Sequence, residues 1–340
     1  MSRYVIRRLL QAIPTFLGIT LLTFCIVYSA PGDPVLQQTW NPRINSETRE
    51  EMRHRLGLDQ ALPVQYLTWL VGNDWLNDPK LEPREGLLRG DFGTSFIEKR
   101  PVGDMIMERL GATLLLTGTA TLIGYAVGIP VGVIAATKPG GLFDNVSRIL
   151  AVIFNSVPGF WLSLVVILLF AVKFREWSLP AIPSGGMYTI VPGDEGRIDL
   201  LDRLVHLLPP ALVLATAPIA TVSRIMRTQV LEVTRQDYVR TARAKGVSER
   251  GVYFVHALRN ALIPLATILG PTLTGLIGGA VITETVWSWP GLGRLFVNAN
   301  FSRDYPVILA GFVIGALGVI IGNLFSDVLY GVIDPRVRLS

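Results

Sequence analysis

The chain has 340 residues, half of them hydrophobic and 17% charged, whereas a soluble domain carries about 25% charged residues, so the polar surface of a globule this size is missing and lipid is the solvent for much of it. A net charge of +5 and a pI near 9.5 do not mark a nucleic-acid binder, because a soluble basic domain would not carry several apolar runs of about 20 residues. One cysteine, Cys25, excludes a disulfide framework or thiolate metal site within one chain, and His54, His206 and His256 have no ligand spacing, so no metal site is expected.

The first apolar run, Leu9 to Ala30, follows Arg3, Arg7 and Arg8. It resembles a secretory signal, but it is close to spanning length, and Tyr28 stands where a signal cleaved after Ala30 would want a small residue. A retained anchor is expected. A long polar stretch follows, from Pro31 to Arg109, opening on Pro-Gly-Asp-Pro and holding a charged helical piece from Glu47 to Leu58. Its aromatics, Trp40, Trp69, Trp75, Phe92 and Phe96, predict a folded cap, since disordered segments are depleted in them. Further runs at Leu110–Ala136, Ile149–Val172, Leu207–Ile225, Leu262–Val286 and Val307–Leu329 can each cross a bilayer of about 30 Å. The expected fold is therefore an all-α integral membrane protein of about six transmembrane helices.

The domain reading is residues 1–30 as cytoplasmic segment and first span, 31–109 as exterior cap, 110–330 as a five-helix core with a cytoplasmic loop at 226–261, and 331–340 as a cytoplasmic tail. Its sidedness follows from the positive-inside rule applied to short loops. One side collects Arg3, Arg7, Arg8, Lys138, Arg148, the basic loop, Arg336 and Arg338; the short loop opposite has Arg294 and Arg303. Both termini are then cytoplasmic, and Trp287 and Trp289 fall at the outer interface as an aromatic belt would.

Glycines recur at spacing four: Gly124, Gly128 and Gly132, then Gly275 with Gly279, Gly311 with Gly315, and Gly318 with Gly322. In lipid, helices associate through close backbone approach, which small residues at this spacing permit, so a packing role is expected. Ionisable groups are scarce in the spans; Glu284 and Asp327 lie near the ends of the fifth and sixth. A proton-driven carrier commonly keeps an acidic or histidine relay in the bilayer, and nothing here resembles one. There is also no G-x-x-x-x-G-K-[ST] loop to bind ATP, and no H-E-x-x-H, G-x-S-x-G or buried acidic pair for an enzyme. If the chain transports, its energy arrives from a partner.

From Arg224 to Arg259 the loop sets Arg224, Arg227, Arg235, Arg240, Arg243, Lys245, Arg250 and Arg259 against Glu232, Asp237 and Glu249. It has internal punctuation as well as charge. Glu232 to Lys245 reads as a helix ended by Gly246, and Ser248-Glu249 opens a second, which makes a rigid protrusion. Ala242 and Ala244 beside the corner leave backbone open to a partner.

Asp237-Tyr238-Val239-Arg240-Thr241-Ala242-Arg243-Ala244-Lys245-Gly246 resembles the EAA loop of ABC importer permeases, and the run to Arg259-Asn260-Ala261-Leu262-Ile263-Pro264 resembles their dipeptide/oligopeptide branch. Four more segments agree from end to end. They are Arg7-Arg8 through Ala30-Pro31-Gly32-Asp33-Pro34; Gly90-Asp91-Phe92-Gly93-Thr94-Ser95 with Arg100-Pro101-Val102; Glu284-Thr285-Val286 through Pro290-Gly291-Leu292-Gly293-Arg294-Leu295; and Asp327 with Asp334-Pro335-Arg336. The Pro-Gly-Asp-Pro and long first exterior loop are similar to the B-type subunit. The general motif's Glu-Ala-Ala is here Arg240-Thr241-Ala242, and its later proline falls on Arg259, departures that the peptide branch shares.

The resemblance implies a type I importer permease fold in the inner (cytoplasmic) membrane. It implies a heterodimer with a second homologous permease, two cytoplasmic ABC ATPases gripping the helix before Gly246, and an extracytoplasmic binding protein that lands on the cap. No cofactor belongs to this chain, since ATP and magnesium go to the ATPases; neither nucleic acid nor catalysis is expected. Arg240, Arg243 and Lys245 are placed to steer the ATPase electrostatically. Pro290, Gly291, Gly293 and Arg294 form either a gate or a rigid outer loop, and Glu284 is either capped by local backbone and Arg294 or part of the pathway. The implied substrate is a di- or oligopeptide, with nickel, opine, glutathione or sugar as alternatives; a secondary carrier or receptor-like scaffold is the rival class.

Overall fold

A computed structural model describes residues 2–29, 46–189, 199–278 and 280–333. The described chain is almost wholly helical, with a single bridge, Thr94 to Pro101, as its only β pairing. In chain order the helices are α1 (Ser2–Ser29), α2 (Ser46–Arg55), α3 (Leu62–Val71), α4 (Val102–Thr137), α5 (Leu142–Ser156), α6 (Gly159–Glu176) and α7 (Leu200–Val233). Then follow α8 (Asp237–Ala244), α9 (249–261, with a π-helical middle at Val252–Ala257), α10 (Ile263–Gly278), α11 (Val281–Val286), α12 (Leu292–Ser302) and α13 (Tyr305–Ile333). Proline lies inside α1 (Pro14), α4 (Pro130), α7 (Pro209, Pro210, Pro218) and α10 (Pro271). Membrane helices tolerate it because neighbouring groups satisfy the freed carbonyls.

Among the described residues, α1, α4, α7 and α13 are each long and apolar enough to span a bilayer, and a fifth span is counted if α5 and α6 are taken together. Those two meet at a 98° bend, where a single straight helix over Ile149–Val172 was expected. Its cause is local. Pro158 has no N–H to continue the ladder, and it holds Val157 in an extended conformation (φ −80°, ψ 122°). The expected span Leu262–Val286 is likewise divided into α10 and α11, at a sequence containing Gly278 and Gly279, poor helix formers.

The chain forms two compact units. The larger draws on Met1–Arg8, Ala112–Arg294 and Gly318–Ser340. In it α4 lies on α7 through its glycines. A methyl group at Gly124 would stand 2.6 Å from Pro218 Cβ, one at Gly128 2.9 Å from Val222 Cβ, and one at Gly132 2.5 Å from the Ser223 carbonyl oxygen. Such spacing is possible only without side chains, and in lipid it is van der Waals contact of this kind that holds helices together. Gly270 approaches Ser326 Cβ of α13 in the same way, at 2.5 Å, whereas a methyl at Gly275 or Gly315 would meet no atom within 4 Å. Asp144 in the first turn of α5 is fully buried and takes a bidentate bond from Arg227 of α7, through Nε and through Nη2 at 2.7 Å, with the Gly140 N–H adding a third donor at 2.8 Å. Arg8 pairs with Asp327 at 3.0 Å.

The smaller unit, Leu9–Gly111 with Leu295–Leu317, is built on aromatics. Phe24 stacks on Tyr28 at 4.2 Å and meets Tyr66 and Trp69 at 5.5 and 5.6 Å. Asp304, ahead of α13, is buried and takes bonds from the Ser95 hydroxyl and the Phe96 N–H (2.9 Å). Trp69 and Phe96 are buried in this unit, while Trp75 is exposed and Trp40 lies outside the described residues. Pro31 to Pro34, Gly279 and Asp334-Pro335-Arg336 also lie outside them.

Candidate functional site

The basic protrusion begins where α7 stops at Val233. A continuous helix from Glu232 to Lys245 was expected; instead residues 234–236 turn, with the Gln236 N–H reaching the Val233 carbonyl at 3.0 Å, and α8 starts afresh at Asp237. The turn is set by what α8 buries. Val239 enters a core shared with Val133, Met226, Val230, Val252, Ala257 and Leu265, and Ala242, three residues on along the same helical face, is buried as well.

Gly246 has φ +80° and closes α8 as a Schellman cap. The Val247 N–H bonds the Ala242 carbonyl at 3.2 Å, and the Gly246 N–H bonds that of Arg243 at 2.9 Å. Ser248 then caps α9, accepting the Gly251 N–H at 3.3 Å. The corner is tied across by Arg243, whose Nε lies 3.0 Å from Glu249 Oε1 and whose guanidinium sits 5.9 Å from the Tyr253 ring centroid. Asn260 donates to the Tyr238 hydroxyl at 2.7 Å.

Of the residues singled out for coupling, Asp237, Arg240, Thr241, Arg243, Ala244, Lys245 and Gly246 are exposed, and Ala242 is turned into the core. Ala242 therefore anchors the protrusion and is not open to a partner. Arg243 is spent internally on Glu249, and Arg240 holds Asp237 only loosely, at 3.4 Å with both side chains in solvent. Arg227, counted by sequence with the loop, belongs to α7 and is neutralised by Asp144. No spacing rule joins two residues 83 apart.

At the other candidate site α11 carries Glu284, whose side chain is fully buried. Its Oε1 accepts the Thr113 hydroxyl at 2.8 Å and its Oε2 the Arg294 backbone N–H at 3.1 Å, while Thr113 Oγ1 itself accepts the Leu292 N–H at 2.7 Å. The Arg294 guanidinium goes elsewhere, to the Ser288 carbonyl at 2.8 Å. So the carboxylate is capped by local backbone and a threonine, and Arg294 contributes its N–H and not its charge.

Gly291 and Gly293 make this possible. A methyl at Gly291 would overlap the Glu284 carboxyl, and one at Gly293 would lie 2.6 Å from Val281 Cα. Pro290 precedes this turn, and Trp289 closes it by donating its indole N–H to the Ala112 carbonyl at 2.8 Å among Leu116, Leu207, Ala211 and Ala215. Thr113 was not foreseen; it stands 171 residues from Glu284 in an ordinary apolar run. Among the described residues no three His, Cys, Asp or Glu side chains converge on a metal-sized site.

Comparison with known proteins covers the chain from end to end. Residues 128–339 match the family described as binding-protein-dependent transport system inner membrane component, and residues 1–117 match the N-terminal family of the same membrane component. The chain is 43% identical over 339 residues to the oligopeptide transport system permease protein AppB of Bacillus subtilis (strain 168), covering 99% of this chain and all of that one. It is 39% identical over 355 residues to the dipeptide transport system permease protein DppB of Escherichia coli (strain K12), covering 99% of both. The di/tripeptide transport system permease protein DppB of Pseudomonas aeruginosa (strain UCBPP-PA14) is 41% identical, again over 99% of both. A chain of the inward-facing MetNI methionine ABC transporter superposes with a TM-score of 0.51 at 20% identity, over 68% of this chain and 96% of that one, a likeness of fold alone.

Proposed function

The chain belongs to the family of binding-protein-dependent transport system inner membrane components, and from that premise we propose that it is the B-type permease of an ATP-driven importer of di- and oligopeptides. The observation that carries the substrate class is the 39–43% identity, sustained over 99% of the chain, to permeases named for oligopeptide, dipeptide and di/tripeptide transport. Nickel, opine, glutathione and sugar are the alternative cargoes, and none of these three relatives is named for them.

In this reading a second, homologous permease completes the translocation pathway, and an extracytoplasmic binding protein delivers the peptide to the 31–109 cap. Two cytoplasmic ATPases hold the ATP and magnesium, both termini are cytoplasmic, and the 226–261 loop faces the ATPases. What supports the loop's role is its build. It is a short exposed helix held rigid by Val239 and Ala242 from beneath and by the Gly246 corner at its end. A rigid lever transmits a closing motion that a flexible loop would absorb. The staple of Glu284, Thr113 and the Gly291–Gly293 turn favours a fixed outer loop over a moving gate, because opening it would strand a buried carboxylate.

Two measurements test the proposal. Removal of residues 235–250 should abolish co-purification of the ATPases while membrane insertion is retained; unchanged co-purification refutes the coupling role. Uptake by cells expressing the system, measured for labelled dipeptide, glutathione, nickel and sugar, should appear for peptide and be lost on deleting this chain. Uptake confined to any other solute refutes the substrate class.

A further inference from the structure

Beside the Asp144–Arg227 pair, a cavity of about 190 Å³ opens between α4, α5 and α7. Val131 and Ala135 of α4 and Ala151 and Val152 of α5 give it apolar lining, and Arg148 of α5 with Arg224 and Arg227 of α7 line it too. The three arginines differ. Arg227 is half-buried and matched by the buried Asp144 carboxylate, so it adds no net charge. Arg148 and Arg224 are exposed, and among the described residues neither forms a salt bridge. Arg148 is close enough to Asp144 to feel its charge, but three guanidinium groups against one carboxylate leave two positive charges in excess on a cleft that is otherwise apolar except for Ser147, Asn155, Ser223 and Thr228.

The surroundings say what faces it. α5 exposes Leu142 at 81%, Ile149 at 60% and Val152 at 64%, exposure that water would penalise and hydrocarbon would not. Arg224 lies nine residues before the end of α7, which leads through a three-residue turn into α8, so the cavity sits about 14 Å along the helix from the root of the protrusion. Guanidinium groups beside such an apolar surface favour an anion, and a phosphodiester accepts two of them in the fork geometry they offer.

We propose that this cleft is a binding site for an anionic phospholipid, its phosphate held by Arg148 and Arg224 and its acyl chain lying along Val131, Ala135, Ala151 and Val152. Basic pockets between membrane helices select such headgroups. The site is separate from the Glu284 staple and from the exposed face of α8, and it does not depend on which solute is transported. A lipid there wedges between α5 and α7 next to their only buried ion pair among the described residues, where it stiffens the base of the protrusion.

The test uses the assembled full-length complex in phosphatidylcholine nanodiscs containing a minor fraction of phosphatidylglycerol, with bound lipid counted by native mass spectrometry. Wild type should retain phosphatidylglycerol, and Arg148→Gln with Arg224→Gln should lose about twenty-five-fold in affinity, at about fivefold for each basic residue near an anionic headgroup. Ala151→Trp, which fills the cleft and leaves both arginines, should also lose it, and guards against misfolding of the double variant. Equal retention by both variants, equal binding of phosphatidylcholine, or absence of phosphatidylglycerol from the assembled complex overturns the proposal. So does displacement of the lipid by inorganic phosphate or by a dipeptide, which would make the site one for a free anion or for substrate.

Discussion

Glu284 shows what one acidic residue in an apolar helix can be for. A buried carboxylate without a cation is costly, and here two neutral donors, Thr113 and the Arg294 N–H, satisfy it while two glycines leave it room. The hydroxyl of Thr113 is used twice, once as donor to Glu284 and once as acceptor from Leu292. Thr113→Val should therefore orphan a carboxylate oxygen and a backbone N–H together and cost about 2–3 kcal/mol, seen as a lowered thermal midpoint of the detergent-purified complex. Thr113→Ser, which keeps the hydroxyl, should stay within about 1 kcal/mol.

Among the helices, the α4–α7 contact is set by glycines whose neighbours are backbone and branched side chains. Gly132→Ala should push α7 away, because the new methyl meets the Ser223 carbonyl oxygen at 2.5 Å. Gly118→Ala on the same helix meets nothing within 4 Å and should be neutral or stabilising by about 0.5–1 kcal/mol through helix propensity. Comparing the melting midpoints of the two variants separates packing from propensity; equal midpoints would show that the glycine contact carries no weight.

In the smaller unit, His54 of α2 bridges two acids, with Nδ1 2.7 Å from Asp59 Oδ2 and Nε2 3.0 Å from Asp78 Oδ2. The hydrogen bond to Asp59 is the main cause that raises its pKa above the ordinary 6.5, with attraction from both acids adding to it. A raised folded-state pKa means the contribution is complete below about pH 6.5 and fades as pH climbs through the folded value. Hydrogen exchange of α2 and the loop to Asp78, corrected for intrinsic rates, should thus show more protection at about pH 5.5 than at about pH 8.5. His54→Asn should remove that difference.

On the scale of the whole molecule, two exposed cations free of a close internal tie, Arg240 of α8 and Lys245 just after it, project beside a helix whose other face is core. Charges at the rim of an interface govern the encounter rate more than the final affinity. Arg240→Glu with Lys245→Glu should slow association of the ATPases by about tenfold at low salt and by much less at high salt, measured by surface plasmon resonance on the nanodisc-held permease. Arg243→Glu should behave differently, loosening the corner as well, because it also loses Glu249 and gains a like charge opposite it.

Composition and run length by themselves determined that this chain is helical and lives in lipid, because an apolar run of about 20 residues has few alternatives to a spanning helix. Local chemistry also determined the Gly246 corner, since a left-handed cap is written into one residue and its neighbours. The tertiary structure alone decided which side chains are used up inside. Ala242 looks like contact surface in sequence and is core; Arg227 looks like loop charge and is half of a buried pair; Thr113 looks like one more span residue and holds the turn at Gly291–Gly293. The last two depend on a partner far off in the chain, 83 residues away for Arg227 and 171 for Thr113. Spacing rules reach only as far as the next few turns of a helix, so such meetings are settled by how helices pack.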